Sequence, residues 1–169
     1  MRRALVIFLT LVLLWTLVAQ LNHFAGEIHL YFFLGGLYVT YAALVLPPRP
    51  GLAAVLLGGM LCDANAPVAF GTHALLFAAA HAVLLSLRDR LPHEEMAGRI
   101  VIALLANLGI FLVLSFFEIG RLPLPAAAWP RLGTDLIFSQ LVLALAAPWF
   151  FSLQEQSLLL SGGLESRLR

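Results

Sequence analysis

Six apolar segments, separated by short polar or proline-containing connections, make up most of this chain. They cover roughly residues 4–21, 28–46, 50–62, 71–87, 100–117 and 136–153. A helix needs about 20 mostly apolar residues to cross a bilayer. Because lipid offers no partner to backbone polar groups, such segments fold as helices. The sequence predicts an all-α membrane protein, with one six-helix transmembrane domain over residues 1–153 and a cytoplasmic tail at 154–169.

The proportion of charged residues supports the membrane assignment. Hydrophobic residues make up 62% of the 169 and charged residues 11%, whereas a soluble domain carries about 25% charged residues. A formal net charge of +1 gives no strongly basic face, so we expect no nucleic-acid binding. A single cysteine, Cys62, excludes an internal disulfide and a cysteine-based zinc site.

The positions of the arginines predict the orientation in the membrane. If the N-terminus is inside and the chain crosses six times, only Arg121 and Arg131 lie outside, and the other arginines are cytoplasmic. Arginine and lysine are enriched in cytoplasmic connections. We therefore expect a multi-pass protein of the cytoplasmic membrane with both termini in the cytoplasm.

Asp63 is the most unusual residue, because it lies between two apolar segments. A carboxylate there is costly to desolvate and needs a buried polar pocket or a water-facing turn. In the structural interpretation it accepts N–H groups from residues 71–73 at the start of the fourth helix, and His73 can also reach it. An asparagine would then keep an acceptor and be tolerated, unlike a leucine. The alternatives are a proton or ligand site, and a partner-binding hairpin that needs Asp63 only as a fastener.

The third segment is short for a membrane span. A dozen residues cover about 18 Å, well under the roughly 30 Å of a hydrocarbon core. Either the helix begins within the prolines of residues 47–50, or it ends early and leaves the turn at 64–70 inside the membrane. Irregular backbone at that depth is tolerated only where protein or a water-filled cavity covers it.

Small and polar residues in the remaining segments indicate helix contacts. Ala74, Ala78 and Ala82 recur at every fourth position, which lets helices approach closely, either inside the protein or against a partner helix. Asn107 and Gln140 are expected to make interhelical hydrogen bonds. Residues 118–135, which contain three prolines, are expected to form an extramembrane loop.

The sequence offers no candidate for catalysis or metal binding. His73 and His81 are eight residues apart, two helical turns, whereas a His-x-x-x-His metal pair is separated by one turn. The sequence lacks three motifs that are typical of enzymes. These are a nucleophile turn with an ordered Ser-His-Asp set, a phosphate-binding glycine loop and a His-Glu-x-x-His motif. We therefore expect neither an enzyme nor a cofactor.

Residues 58–91 carry a recognisable pattern. It consists of Gly58-Gly59-x-Leu61-x-Asp63, a turn at Pro67, then Gly71-x-x-Ala74-Leu75-Leu76 and a closing Arg88-x-Arg90-Leu91. This pattern resembles the MreD family of bacterial rod shape-determining membrane proteins. The size, the six segments and the proline-containing region before the last helix are also similar to that family. The candidate hairpin residues are Gly58, Gly59, Asp63, Pro67, Gly71 and His73.

The resemblance implies a non-enzymatic scaffold of the cell-wall elongation machinery in the bacterial inner membrane, involved in rod shape determination. The implied partners are an MreC-like protein and a RodA-type glycosyltransferase with its transpeptidase. MreD-like proteins are similar in fold to the substrate-binding S component of energy-coupling-factor vitamin transporters. Such a carrier is the alternative function, and it should present polar and aromatic side chains from its outer loops to a small ligand.

Overall fold

The computed structural model describes residues 2–66, 68–92, 94–120 and 125–160, and all regular structure in them is helical. Short 3-10 turns occupy Gly26–Ile28 and Arg88–Arg90. The predicted all-α class is confirmed. The six α-helices are α1 (Arg2–Ala25), α2 (Gly35–Val45), α3 (Pro48–Asp63), α4 (Thr72–Leu87), α5 (Met96–Ile119) and α6 (Pro125–Leu160).

Within the described residues, three helical stretches are long and apolar enough to cross a membrane, namely Phe8–Ile28, Met96–Ile119 and Ala128–Ser157. Large apolar side chains also cover much of the outer surface, and Leu145 and Phe116 expose 79% and 73% of their area. A soluble monomer rarely gathers so much exposed apolar surface. These are the features of a multi-pass membrane protein.

Helix α2 lies at the centre of the bundle. Its residues 36–44 are all buried, so it packs on every side. The Tyr41 ring packs against Phe150 and Phe151 of α6, with ring centroids 6.0 and 6.1 Å apart. Gly36 permits a close crossing, because a Cβ at this position would overlap the backbone of Asn107 on α5. The other helices are therefore arranged around α2.

Successive helices run in opposite directions. Their connections therefore lie at the two opposite ends of the bundle. Gly51 of α3 lies against Ala42 of α2 and the His81 ring of α4 at one end. The Arg88 guanidinium donates to the Leu46 carbonyl at the same end. We call the opposite end, which holds the α1–α2, α3–α4 and α5–α6 connections, the loop end. Asp63 lies at the loop end.

The start of α3 agrees with the first of the two alternatives for the third segment. The helix begins at Pro48, so prolines occupy its first turn, where N–H groups have no helical acceptor in any case. Its 16 residues cover about 24 Å. The helix therefore begins within the prolines, as the first alternative required.

The segment predicted as one helix over residues 28–46 is α-helical only from Gly35 to Val45. Residues 30–34 have no regular secondary structure; we call them the unwound segment. His29 just before them has a left-handed backbone, with φ of 57°. Side chains from other helices pair the backbone that the helix leaves free, which lets these residues stay irregular in an apolar environment.

Helix α6 begins well before the predicted segment 136–153. Of residues 118–135, expected to form a loop, 118 and 119 end α5, those from Pro125 onward are helical, and 121–124 lie outside the described residues. Trp129 then packs edge-on against Phe116 of α5, with ring centroids 6.5 Å apart. This contact anchors the added turns to α5.

Helix α6 also continues past residue 153 into the predicted tail, as far as Leu160. The Gln154 side chain is fully buried and donates to Thr10 of α1. Arg99 of α5 forms an ion pair with Glu155. These two contacts attach the last turns of α6 to the bundle.

The α3–α4 crossing depends on Gly59. A Cβ there would overlap the backbone of Ala74, so Gly59→Ala should lower the free energy of unfolding by about 1–3 kcal/mol. Gly109 on α5 is the matched control, because nothing lies within 4 Å of its Cβ position. Gly109→Ala should be neutral or stabilising. Unfolding of both variants in detergent checks this, and equal stabilities would contradict the close crossing.

Candidate functional site

Asp63 ends α3 and caps the start of α4. Its side chain is buried, and each carboxylate oxygen accepts two hydrogen bonds. Oδ2 accepts the Gly71 and Ala74 N–H groups at 3.0 and 3.1 Å. Oδ1 accepts the His73 N–H at 2.8 Å and lies 2.8 Å from His73 Nδ1. The carboxylate therefore fastens the hairpin by satisfying N–H groups that the first turn of a helix cannot pair itself.

The donors differ in one detail from those that the sequence predicted. Gly71 and His73 donate to Asp63 as expected, and Ala74 joins them. The Thr72 N–H instead donates to the Ala69 carbonyl at 3.1 Å. Gly71 has φ of 98°, a left-handed conformation that favours glycine. The glycine therefore lets the chain reverse direction while its N–H points at Asp63.

His73 connects the fastened hairpin to the interior of the bundle. The Asp63 contact engages Nδ1, and in the Nδ1-protonated tautomer that nitrogen is the donor. The ring lies between aromatic neighbours, with centroids 6.5 Å from Phe33 and 6.0 Å from Phe77. Nε2 is therefore the ring nitrogen that remains for a molecule bound beside the hairpin.

The other residues predicted for the hairpin and for the alanine positions of α4 differ in their burial and in the helices they contact. Gly58 faces α1 and α2, where a Cβ would overlap Leu11 and approach Tyr38. We call Ala74, Ala78 and Ala82 the alanine stripe. Its exposure increases along α4, because Ala74 is buried, Ala78 is half-buried and Ala82 is exposed. Pro67 lies outside the described residues. The stripe thus combines an internal contact with a free outer end.

Among the described residues, no group of three or more His, Cys, Asp or Glu side chains could hold a metal ion. His81 is buried against Gly51, far along α4 from His73. Both oxygens of Asp63 are already occupied by N–H groups. The site can therefore hold backbone in place and bind a molecule through shape and hydrogen bonds.

The unwound segment has its backbone paired by side chains from three helices. Asn22 of α1 accepts the Phe32 N–H at 2.6 Å and donates to the Phe32 carbonyl at 2.9 Å. Asn107 of α5 donates to the Phe33 carbonyl and accepts the Gly36 N–H, both at 3.0 Å. Irregular backbone inside a membrane needs such partners, since an unpaired group there costs several kcal/mol.

Helix α6 accepts two further N–H groups of this segment. Asp135 accepts the Tyr31 N–H and Ser139 accepts the Phe33 N–H, both at 3.0 Å. Four residues rise about 6 Å along a helix, and two residues of extended chain cover about the same distance. The spacing of Asp135 and Ser139 on α6 thus matches alternate residues of the unwound segment.

Most of this network was not predicted from the sequence. Asn107 was expected to bond another helix, but its partners are the Phe33 carbonyl of the unwound segment and the Gly36 N–H. Gln140 bonds the Leu104 carbonyl of α5 at 3.0 Å, as an interhelical bond should. Asn22 and Ser139 were not singled out. Asn22 directly follows the first apolar segment and Ser139 lies beside Gln140 in the last; a polar side chain at such a position indicates a polar partner but does not identify it.

A cavity of about 740 Å³ lies beside the unwound segment at the loop end. Binding pockets for small molecules commonly enclose roughly 300–1,000 Å³. Most of its wall is aromatic or aliphatic, and His73 and Ser115 also reach it. The charged residues on its wall are Glu118, Arg131 and Asp135.

Comparison with known proteins finds no family model that matches this chain, and neither a curated protein nor a solved structure that matches it.

The Asp63 cap predicts a graded response to substitution. Asparagine offers one acceptor oxygen, and its NH₂ group would face two N–H donors. This revises the expectation that asparagine is tolerated. Asp63→Asn should lose about 1–3 kcal/mol of unfolding free energy for each N–H left unpaired, and Asp63→Leu should lose more. Asp89→Asn, in the exposed Arg88–Arg90 turn, is the control. Melting temperature and membrane abundance measure the effect; wild-type stability of Asp63→Asn would refute the four-donor cap.

Asn107 provides the corresponding test of the unwound segment. Asn107→Ala leaves the buried Phe33 carbonyl and Gly36 N–H unpaired, at about 1–3 kcal/mol for each group. Asn65→Ala is the control, because the exposed Asn65 side chain donates to the Leu61 carbonyl within its own helix turn. We expect a large drop in thermal stability in detergent for Asn107→Ala only. Similar small effects in both variants would show that the unwound segment does not depend on Asn107.

Proposed function

We propose that this protein is a non-enzymatic, six-span membrane scaffold of the cell-wall elongation machinery, involved in rod shape determination. Its partners would be an MreC-like protein and a RodA-type glycosyltransferase with its transpeptidase. The observation that carries the proposal is the α3–α4 hairpin fastened by Asp63. This hairpin lies within residues 58–91, on which the resemblance to the MreD family rests.

Six crossings are consistent with the lengths of the shorter helices. Helices α3 and α4 have 16 residues each, or about 24 Å, and modest bilayer thinning can accommodate such a length. Helix α2 covers only about 16 Å. The five residues of the unwound segment add up to roughly 16 Å if extended, so that together they suffice for one crossing.

Reporter fusions test the topology. A periplasm-active phosphatase should be active when fused after Ala66 or Gly120, because both positions lie at the loop end. The same reporter should be inactive after Leu160, where a cytoplasmic fluorescent protein should be bright. The expectation follows from the arginine distribution. An active phosphatase after Leu160 would contradict a cytoplasmic C-terminus.

The exposed end of the alanine stripe is the candidate partner face. Ala82 is exposed, and its neighbours on α4 include Val83 and Leu75, which expose 57% and 72% of their area. A small residue on such a face lets a partner helix approach closely. Ala74 cannot serve this purpose, because it is buried against Gly59.

The scaffold function predicts a cell-shape defect from a surface substitution. Depletion of the protein from a rod-shaped bacterium that encodes it should produce rounded cells. Ala82→Leu should fail to restore the rod shape and should recover less MreC-like protein in a pull-down, since the larger side chain separates the helices. Ala53→Leu, at an exposed alanine of α3, should restore the shape. Both variants should be equally abundant; rods with Ala82→Leu would remove this face from the proposal.

A second candidate is the substrate-binding S component of a vitamin transporter, and the observation behind it is the size of the cavity, about 740 Å³. A carrier of this kind would use the cavity for a water-soluble ligand, which should copurify with the protein and raise its melting temperature. Deletion would then leave cell shape unchanged. These outcomes separate the carrier from the scaffold.

A further inference from the structure

A cavity and a surface groove lie next to each other at the loop end. The first is the cavity beside the unwound segment. The second is a groove of about 410 Å³ on the outside of α4 and α5. Val68, Leu114 and Glu118 line both. The cavity and the groove are therefore separated by one layer of side chains.

The groove faces the side on which a bilayer would lie. Its lining is mostly apolar and includes Leu75, Leu76 and Phe117. Leu75 and Phe117 expose 72% and 61% of their area. Exposed apolar side chains on a membrane protein contact acyl chains. A molecule dissolved in the bilayer thus has direct access to the wall of the cavity.

The cavity itself suits an apolar chain more than a polar solute. Trp15, Phe77 and Phe111 are among the residues that line it. Most polar atoms of the nearby network are already occupied: Asn22 bonds both backbone groups of Phe32, and Asp135 accepts the Tyr31 N–H. Few groups remain to replace the water of a soluble ligand, whose desolvation would be costly.

Two exposed charged residues lie on the wall of the cavity, Glu118 near the end of α5 and Arg131 in α6. They are of opposite sign and belong to the loop end. A zwitterionic headgroup carries a phosphate and an ammonium group, which complement an arginine and a glutamate respectively.

We infer that the cavity holds one acyl chain of a zwitterionic phospholipid, which enters sideways between α4 and α5 past Leu114. The headgroup lies at Glu118 and Arg131. A bilayer chain gains no hydrophobic free energy by moving into a protein, so close packing in the cavity and the headgroup contacts provide the selectivity. This inference is independent of the scaffold function.

Photocrosslinking locates the chain. The full-length protein is placed in nanodiscs that contain phosphatidylethanolamine with a photoreactive acyl chain, and crosslinked peptides are mapped. We expect labels on Phe77 and Phe111, which are 1% and 6% exposed and face the cavity. Labels confined to outward residues such as Leu105 and Leu145 would overturn the inference.

Substitutions then test the entry path. Leu114→Trp should reduce labelling of Phe77 about tenfold, the change that about 1.4 kcal/mol of lost interaction produces. Leu112→Trp, on the exposed side of α5, should not. Ala19→Trp fills the cavity from α1 and provides the same test if Leu114→Trp does not fold. Equal labelling in Ala19→Trp and Leu112→Trp would overturn the inference.

The headgroup contacts give an independent readout. Native mass spectrometry of wild-type protein should show one phosphatidylethanolamine retained in preference to phosphatidylglycerol. The double variant Glu118→Gln with Arg131→Gln should lose this preference while Phe77 labelling persists. A water-soluble compound that copurifies and blocks labelling of Phe77 would assign the cavity to a soluble ligand and refute the lipid. Neither result changes the cell-shape test of the scaffold.

Discussion

Side chains from α1, α5 and α6 pair the backbone of the unwound segment, and these hydrogen bonds fix how the helices are arranged. Backbone without helical hydrogen bonds cannot persist in an apolar medium unless other groups satisfy it. Asn22, Asn107 and Ser139 do so here. Since each side chain must reach a particular peptide group, the positions of three helices around α2 follow from one short stretch of chain.

Phe33 joins this network to the second polar cluster, the Asp63 cap. Its N–H and carbonyl bond Ser139 and Asn107. Its ring packs against His73 and Phe77 of α4, with centroids 6.5 Å away in both cases. The hairpin and the unwound segment are thus held against each other at the loop end, and the cavity forms beside them. Irregular backbone in membrane proteins often lines a binding cavity.

Local signals predicted the parts of the fold that depend on local physics. The helical class and the limits of α4 follow from apolar length, and Asp63 as the cap of α4 follows from the donors exposed at any helix start. The beginning of α6 was predicted too late, because prolines in residues 118–135 suggested a loop. The helix nevertheless includes Pro125 and Pro130, and the packing of Trp129 on Phe116 stabilises the added turns.

Composition and helix capping act over a few residues, so apolar helices and a fastened hairpin could be predicted from the amino-acid sequence. The departure of residues 30–34 from the helix, and the cavity beside them, depend on the assembled bundle. The apolar stretch 28–46 is compatible with either conformation, because hydropathy does not distinguish helical from irregular backbone. The choice depends on hydrogen-bond partners at Asn22, Asn107 and Ser139, which are distant in sequence and meet only when the bundle is assembled.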